Sequence, residues 1–240
     1  MLLATQPYST SSSTLVAGSE ALVVSILTRH GSVENVKYRE TSYGMVKVDY
    51  AITASLEPLR EFPELVPLVE KLVKRRPLDE IDKSNLSELV EATGWSIEDV
   101  VDDLRNVWRN PSERVDRYRN MFEKYYDEAL ELVDKDPQQV AEKLWGAITA
   151  LIKLHASLKG VFIAHWEHEK LYNYVTNNVE ERHKKLFHDL LKTGEVLHRY
   201  FYEGGLDRGI FNIFWTEALE LLDQAKQVVY RLYSKVVQRR

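Results

Sequence analysis

The 240-residue sequence contains no cysteine. That absence excludes disulfides, thiolate metal sites and a cysteine nucleophile together, and it fits a reducing or hot cytoplasm. Glycine and proline are scarce, at 10 and 7 residues. Neither a glycine-rich phosphate loop nor a Gly-x-Ser-x-Gly elbow occurs. No apolar run approaches the roughly 20 residues that a membrane span requires. The opening MLLATQPYSTSSST has no charged start followed by an apolar stretch, so it does not read as a secretory signal. An excess of basic charge is also missing. Residues 1–110 carry 12 Lys/Arg against 17 Asp/Glu, a balance of −5, and residues 111–240 carry 20 of each, a balance of 0. Neither half has the bulk charge of a nucleic-acid-binding domain. The expectation is a soluble cytoplasmic protein with no membrane association. What is present is an apolar content of 44%, enough for a core, and a charged content of 29% of mixed sign, which argues against disorder.

Along the chain, residues 1–18 are Ser/Thr-rich and weakly patterned, which predicts a flexible amino-terminal arm. EALVVSILTRHG, from Glu20, fits a short helix or, through Val23, Val24 and Ile26, a strand. Val36 and Tyr38, then Val46, Val48 and Tyr50, alternate with polar residues around Ser42 and Gly44, the pattern of a β-hairpin. Residues 56–76 have helical spacing interrupted by Pro63 and Pro67, predicting two short helices. Further helices are expected at 84–93 and 97–109, the second begun by Ser96 with an acid three residues on. Pro111 and Ser112 mark the expected boundary between a small α+β domain, 19–110, and a helical domain, 111–240. The latter should hold helices near 113–134, 137–158, 166–178, 181–202 and 207–238. Val115, Tyr118, Phe122, Tyr125, Ala129 and Val133 share one face of the first. Val140, Leu144, Ile148, Leu151 and Leu158 share one of the second, and Phe211, Phe214, Ala218, Leu222, Ala225, Val229 and Leu232 one of the last. Stripes of that width bury against other helices. Long helices on short loops make an up-and-down bundle.

Several groups of residues are candidates for chemistry. LSELVEATGWSIEDVVDDL (Leu86 to Leu104) has helix-turn-helix spacing, with Leu89, Val90, Val100 and Leu104 as core and Gly94 as turn. Its second helix carries Glu98, Asp99, Asp102 and Asp103, which oppose a polyanion, so packing or protein contact is favoured over DNA reading. His155 and His198 project onto apolar faces, and His183 does so if its helix has already begun. Together with Tyr200 they are candidates for a polar pocket. Separate core histidines, each with one hydrogen bond, are the favoured alternative. Glu180–His183 and Glu195–His198 have the Glu-x-x-His spacing of di-metal bundles, but the inward glutamates of two further helices are missing. His165–His168 falls at a helix start. No metal and no cofactor is expected. Gly204-Gly205 terminates a helix, and Lys235, Arg239 and Arg240 form a solvated helix end.

Three strings carry a family resemblance: RYRNMFEKYYDEALELVDKDPQQ (Arg117 to Gln139), AEKLWGAITALIK (Ala141 to Lys153) and LHRYFYEG (Leu197 to Gly204). In this order, with His165 between the last two, they resemble the PaREP family, an archaeal repeat family of Pyrobaculum, over about residues 113–232. The resemblance implies a bundle related to the HEPN and nucleotidyltransferase-substrate-binding folds, which include RNA-cleaving toxins, nucleotide-binding partners and inactive scaffolds. The RNase branch carries an Arg followed by four to six residues and then His. Arg182 and His188 match by count, but lie about 120° apart on a regular helix and precede the last helix. The family has no established activity to carry over. The expectation is thus a mainly α protein, a HEPN-like bundle preceded by a small α+β region with a hairpin and a helix-turn-helix-like pair. It would act as a non-catalytic protein-binding or regulatory module, a homodimer with a further protein partner, in a toxin–antitoxin-like or nucleotidyltransferase-linked setting. The alternatives are a metal-independent endoribonuclease using Arg182 and His188, and a DNA-binding regulator using 84–105.

Overall fold

The computed structural model describes residues 12–16, 21–29, 32–41, 44–49, 59, 62–107, 109–163 and 168–238. The chain divides into two compact units, 1–60 and 61–240. In the first, the backbone runs as strands β1 (Ser12–Val16), β2 (Ala21–Arg29), β3 (Ser32–Thr41) and β4 (Gly44–Asp49), antiparallel in that order. The expected hairpin turn, 42–43, lies outside the described residues, as do 1–11 and 17–18 of the expected arm.

The second unit is helical. A short 3-10 turn, Pro63–Leu65, leads into α1 (Val66–Val73), and α2 (Glu80–Thr93) and α3 (Ile97–Arg105) form a corner. A second 3-10 turn, Pro111–Arg114, precedes α4 (Val115–Leu132), α5 (Pro137–Leu158), α6 (His168–Asn178), α7 (Glu181–Glu203) and α8 (Arg208–Val237). The protein is mainly helical. Among the described residues no helix is long and apolar enough to cross a membrane.

Local signals set most of these ends. Pro67 sits in the first turn of α1, where a missing N–H costs nothing. α2 starts at Glu80, four residues before the expected 84, because Asp79 and Asp82 form a reciprocal capping box. Ser96, Asp136 and Asp207 cap α3, α5 and α8 through their side chains. α3 ends at Arg105, short of the expected 109.

α5 is the axis of this unit. From Val140 to Ser157 every residue except Lys143 is buried. α4, α7 and α8 pack along it, and α6, α2 and the Pro111–Arg114 turn close its remaining sides. One apolar stripe was expected on this helix; instead all its faces are covered, which brings Glu142, Thr149, Lys153 and His155 indoors. The facing stripes of α4 and α8 bury as expected, with Val133, Phe214 and Leu232 half-buried and Trp215 added to the core.

The expected boundary near 110–111 is not where the chain divides. The α2–α3 corner is stitched to α5 by three hydrogen bonds: Trp95 Nε1 to the Gly146 carbonyl, Trp145 Nε1 to the Ala92 carbonyl, and Thr149 Oγ1 to the Thr93 carbonyl, each 3.0 Å. Two glycines permit this approach. Gly94 holds φ +68° at the corner, and a Cβ on Gly146 would lie 2.7 Å from the Gly94 carbonyl oxygen.

Candidate functional site

Burying α5 on all sides makes every polar group on it a question of partners, because an unpaired buried charge costs several kcal/mol, about 3–5 when one member of a pair is removed. Two clusters answer that question.

The first lies where α3, α4 and α5 meet. Asp103 is buried and takes up an unusually large share of the local donors. Lys153 Nζ donates to its Oδ2 at 2.8 Å, the Tyr118 hydroxyl donates to Oδ1 at 2.9 Å, and Arg114 Nη2 forms an ion pair with Oδ1. Burial acts to raise the Asp103 carboxyl, but Lys153 and Arg114 outweigh it and hold it well below the usual carboxylate range. Lys153 is brought down to about 8, by burial first and by the like charge of Arg114, against the pull of Asp103. Its ammonium lies 4.9 Å from the Trp95 ring centre and 5.6 Å from that of Tyr118. Asp102 pairs with Arg117, and Asp99 accepts from Lys124 Nζ at 2.8 Å and from the Tyr125 hydroxyl at 2.7 Å. Three of the four carboxylates on the helix expected to face outward therefore turn onto cations of the bundle. Its exposed remainder is Ile97, Glu98 and Arg105.

The second cluster joins α5, α6 and α7. Glu142 lies 3.1 Å from His198 Nδ1 and accepts from the Tyr202 hydroxyl at 3.2 Å. Trp145 stacks on the His198 ring at 5.1 Å, and His168 lies 4.7 Å from Trp145 and 5.4 Å from His198, centre to centre. His168 Nδ1 is 3.2 Å from Glu195, which also accepts from the Tyr172 hydroxyl at 3.1 Å. Burial raises the Glu195 carboxyl, but those two contacts prevail and hold it below its ordinary value. Burial, then Glu142, pushes the Tyr202 hydroxyl up. Each imidazole is thus braced at Nδ1 by a carboxylate, an arrangement that fixes ring orientation. Trp145 and His198 are buried, whereas Tyr202, His168 and Glu195 form the accessible edge. Among the described residues no group of three ligands suited to a metal ion is assembled.

The residues singled out in the sequence separate. His198 enters the second cluster, but with Glu142 rather than Glu195. His155 belongs to neither cluster: its Nδ1 is 2.7 Å from the Tyr174 hydroxyl and its ring meets Phe187. His183 sits in the first turn of α7, 15 residues before His198 and so about 22 Å away along the helix. The three histidines do not share a pocket. Tyr200 packs against Phe211 at 5.7 Å, away from the histidine cluster. Arg182 is exposed and pairs with Glu180 at 2.7 Å, while His188 stacks on Tyr172 and lies 3.2 Å from Thr176 Oγ1. Among the described residues Arg182 and His188 have no partner in common. His165 lies outside the described residues.

The sequence alone does not mark Glu142, Trp145, Tyr172, Tyr202, Asp103, Arg114 and Lys153 as members of these clusters. The one signal for the α5 members was the run from Leu144 to Leu158, apolar almost all round, which marks a fully enclosed helix.

Residues 117–222 match the model of the Archaeal PaREP1/PaREP8 family. Comparison with curated proteins and with solved structures gave no match. The matched segment contains every member of the second cluster, including Glu142 and Trp145 of AEKLWGAITALIK and His198 and Tyr202 of LHRYFYEG. The two most distinctive strings of the sequence meet in space.

Proposed function

We propose, from the match of residues 117–222 to the model of the archaeal PaREP1/PaREP8 family, that this chain is a non-catalytic protein-binding module. Its bundle is of HEPN-like kind, its first partner is a second copy of itself, and its setting is toxin–antitoxin-like or nucleotidyltransferase-linked. The observation carrying this reading is a division of labour between inside and outside. The ionisable groups buried along α5 are each engaged by partners within the bundle, whereas α8 turns Ile210 and Ile213 outward, 42% and 67% exposed, one turn apart. Covering each isoleucine would contribute about 1.5–3 kcal/mol. Sedimentation equilibrium at micromolar concentration tests this. A dimer is expected for the wild type, and a monomer with unchanged helicity for the Ile210→Glu/Ile213→Glu variant. A monomeric wild type, or a variant that remains dimeric, overturns the homodimer.

The alternatives receive less support. Arg182 is engaged by Glu180, and His188 faces Tyr172 and Thr176, so among the described residues the two are held by different partners. RNA cleavage in chelator that disappears in His188→Ala would restore the endoribonuclease reading. The acidic face of α3 is occupied by the protein's own cations, leaving that helix without the basic surface that phosphate contact requires.

A further inference from the structure

We propose that α8 pairs antiparallel with α8 of a second copy of this chain, centred near Gln224. The proposal rests on the homodimer reading above and fixes its direction and register. Within its own chain α8 is covered on three sides. Phe211, Trp215, Ala218, Leu222, Ala225 and Val229 are buried in the bundle. Asp223 accepts from the Tyr126 hydroxyl of α4, and the Tyr230 hydroxyl donates to Glu123 of α4. α5 and α7 take the rest of the covered arc.

The uncovered side is a single strip. Ile213, Glu217, Glu220, Gln224, Gln227 and Arg231 follow one another at alternating steps of four and three, and all are exposed. That alternation keeps residues on one face of a helix and is the spacing by which two helices pair. Ile210 flanks its amino end, and Lys235 continues it one step past Arg231. Among the described residues no hydrogen bond or ion pair ties these side chains to another helix. Arg231 Nε donates only to the Gln227 carbonyl of its own helix.

The strip is polarised. Glu217 and Glu220 lie in its amino-terminal half, Arg231 and Lys235 at its carboxy-terminal end, and two glutamines separate them. This order is complementary to itself in one direction only. In an antiparallel pair centred on Gln224, Glu217 lies seven residues before the centre and meets Arg231 of the second copy, seven residues after it. The contact occurs twice, once on each side of the axis. Ile213 then lies along the methylene stem of Lys235 of the second copy, which covers an isoleucine that is 67% exposed in the single chain. A parallel pair would set Glu217, Glu220 and Arg231 each against its own copy, and like charges so placed are destabilising. The helix dipoles also favour the antiparallel direction.

The chain contains no cysteine, so introduced cysteines report the geometry directly. In the full chain, Gln224→Cys should join to its own copy through a short bismaleimide. Ile213→Cys alone and Lys235→Cys alone should not, because their two copies lie about 33 Å apart along the axis, whereas a mixture of these two variants should join. Charge reversal gives a second readout by sedimentation equilibrium. Glu217→Lys/Glu220→Lys should weaken the dimer about tenfold, and adding Arg231→Glu/Lys235→Glu should restore it. All four positions are exposed, so helicity is expected to stay unchanged. A dimeric wild type in which Gln224→Cys fails to join, Ile213→Cys joins to itself, or the charge reversal has no effect overturns the antiparallel pairing and leaves the homodimer standing. A monomeric wild type overturns both.

Discussion

Replacing Asp103 by Asn tests whether the α3–α4–α5 junction is held by a buried charge cluster. Asn preserves the volume and one acceptor oxygen, which still receives Arg114 or Tyr118. Its amide, however, presents N–H donors toward Lys153 Nζ, where the carboxylate Oδ2 now accepts at 2.8 Å. Two buried cations then face no anion. Leaving a buried charge without its partner costs about 3–5 kcal/mol, a large fraction of the roughly 5–15 kcal/mol that keeps a domain folded. Urea unfolding followed by far-ultraviolet circular dichroism at neutral pH should show a deficit of that size. Adding Lys153→Met removes one stranded cation and should restore about half of it, a coupling of about 2 kcal/mol in the double-mutant cycle. The pH dependence follows from the direction of the Asp103 shift. Its folded value is depressed, so its contribution is complete above about pH 4, the unfolded value, and is lost as the pH falls through the folded one. The gap between wild type and Asp103→Asn should therefore narrow below pH 4. A deficit under about 1 kcal/mol, or strictly additive single mutants, would refute the idea that this carboxylate organises the junction.

Gly146→Ala would gain about 1 kcal/mol of helix propensity in isolation. The new Cβ, however, meets the Gly94 carbonyl oxygen at 2.7 Å and the Tyr125 ring at 3.1 Å, so a net loss of about 1–3 kcal/mol is expected in the same urea assay; a stabilised variant would contradict the close approach of α2 to α5. Burial first, then the charges of Lys159 and His183, hold His155 down to about 4, with Glu180 opposing. The unfolded chain takes up this proton first, so stability is complete above about pH 6.5 and declines toward pH 4. Between pH 7.5 and 4.5 the wild type should lose about 2–3 kcal/mol more than His155→Gln, and equal losses would show that His155 is not buried in its neutral form. The isoleucine pair on α8 supplies a further test.

The helices were legible because their signals are local. The long carboxy-terminal helices follow the expected ranges within two residues, since apolar periodicity, Asp136 and Asp207 at the caps, and Gly204 at the end of α7 act over one turn. The start of α2 departs from its expected position because Asp79 and Asp82 cap the helix four residues earlier. His198 was picked out correctly as an inward polar residue. Glu142 was not, because on α5 it lies beside apolar positions that a single stripe would have left exposed.

By itself, then, the sequence determined the helical class, most element ends, the family strings and the exclusion of thiol chemistry, all properties of residue type and short-range spacing. Only the tertiary structure decided that α5 is enclosed on every face, that the α2–α3 corner belongs with the bundle, and that AEKLWGAITALIK and LHRYFYEG meet through Glu142, Trp145, His198 and Tyr202. Those outcomes depend on which helices become neighbours. A buried carboxylate or lysine looks like a surface one until the elements that remove its water, and supply its counter-charge, are in place.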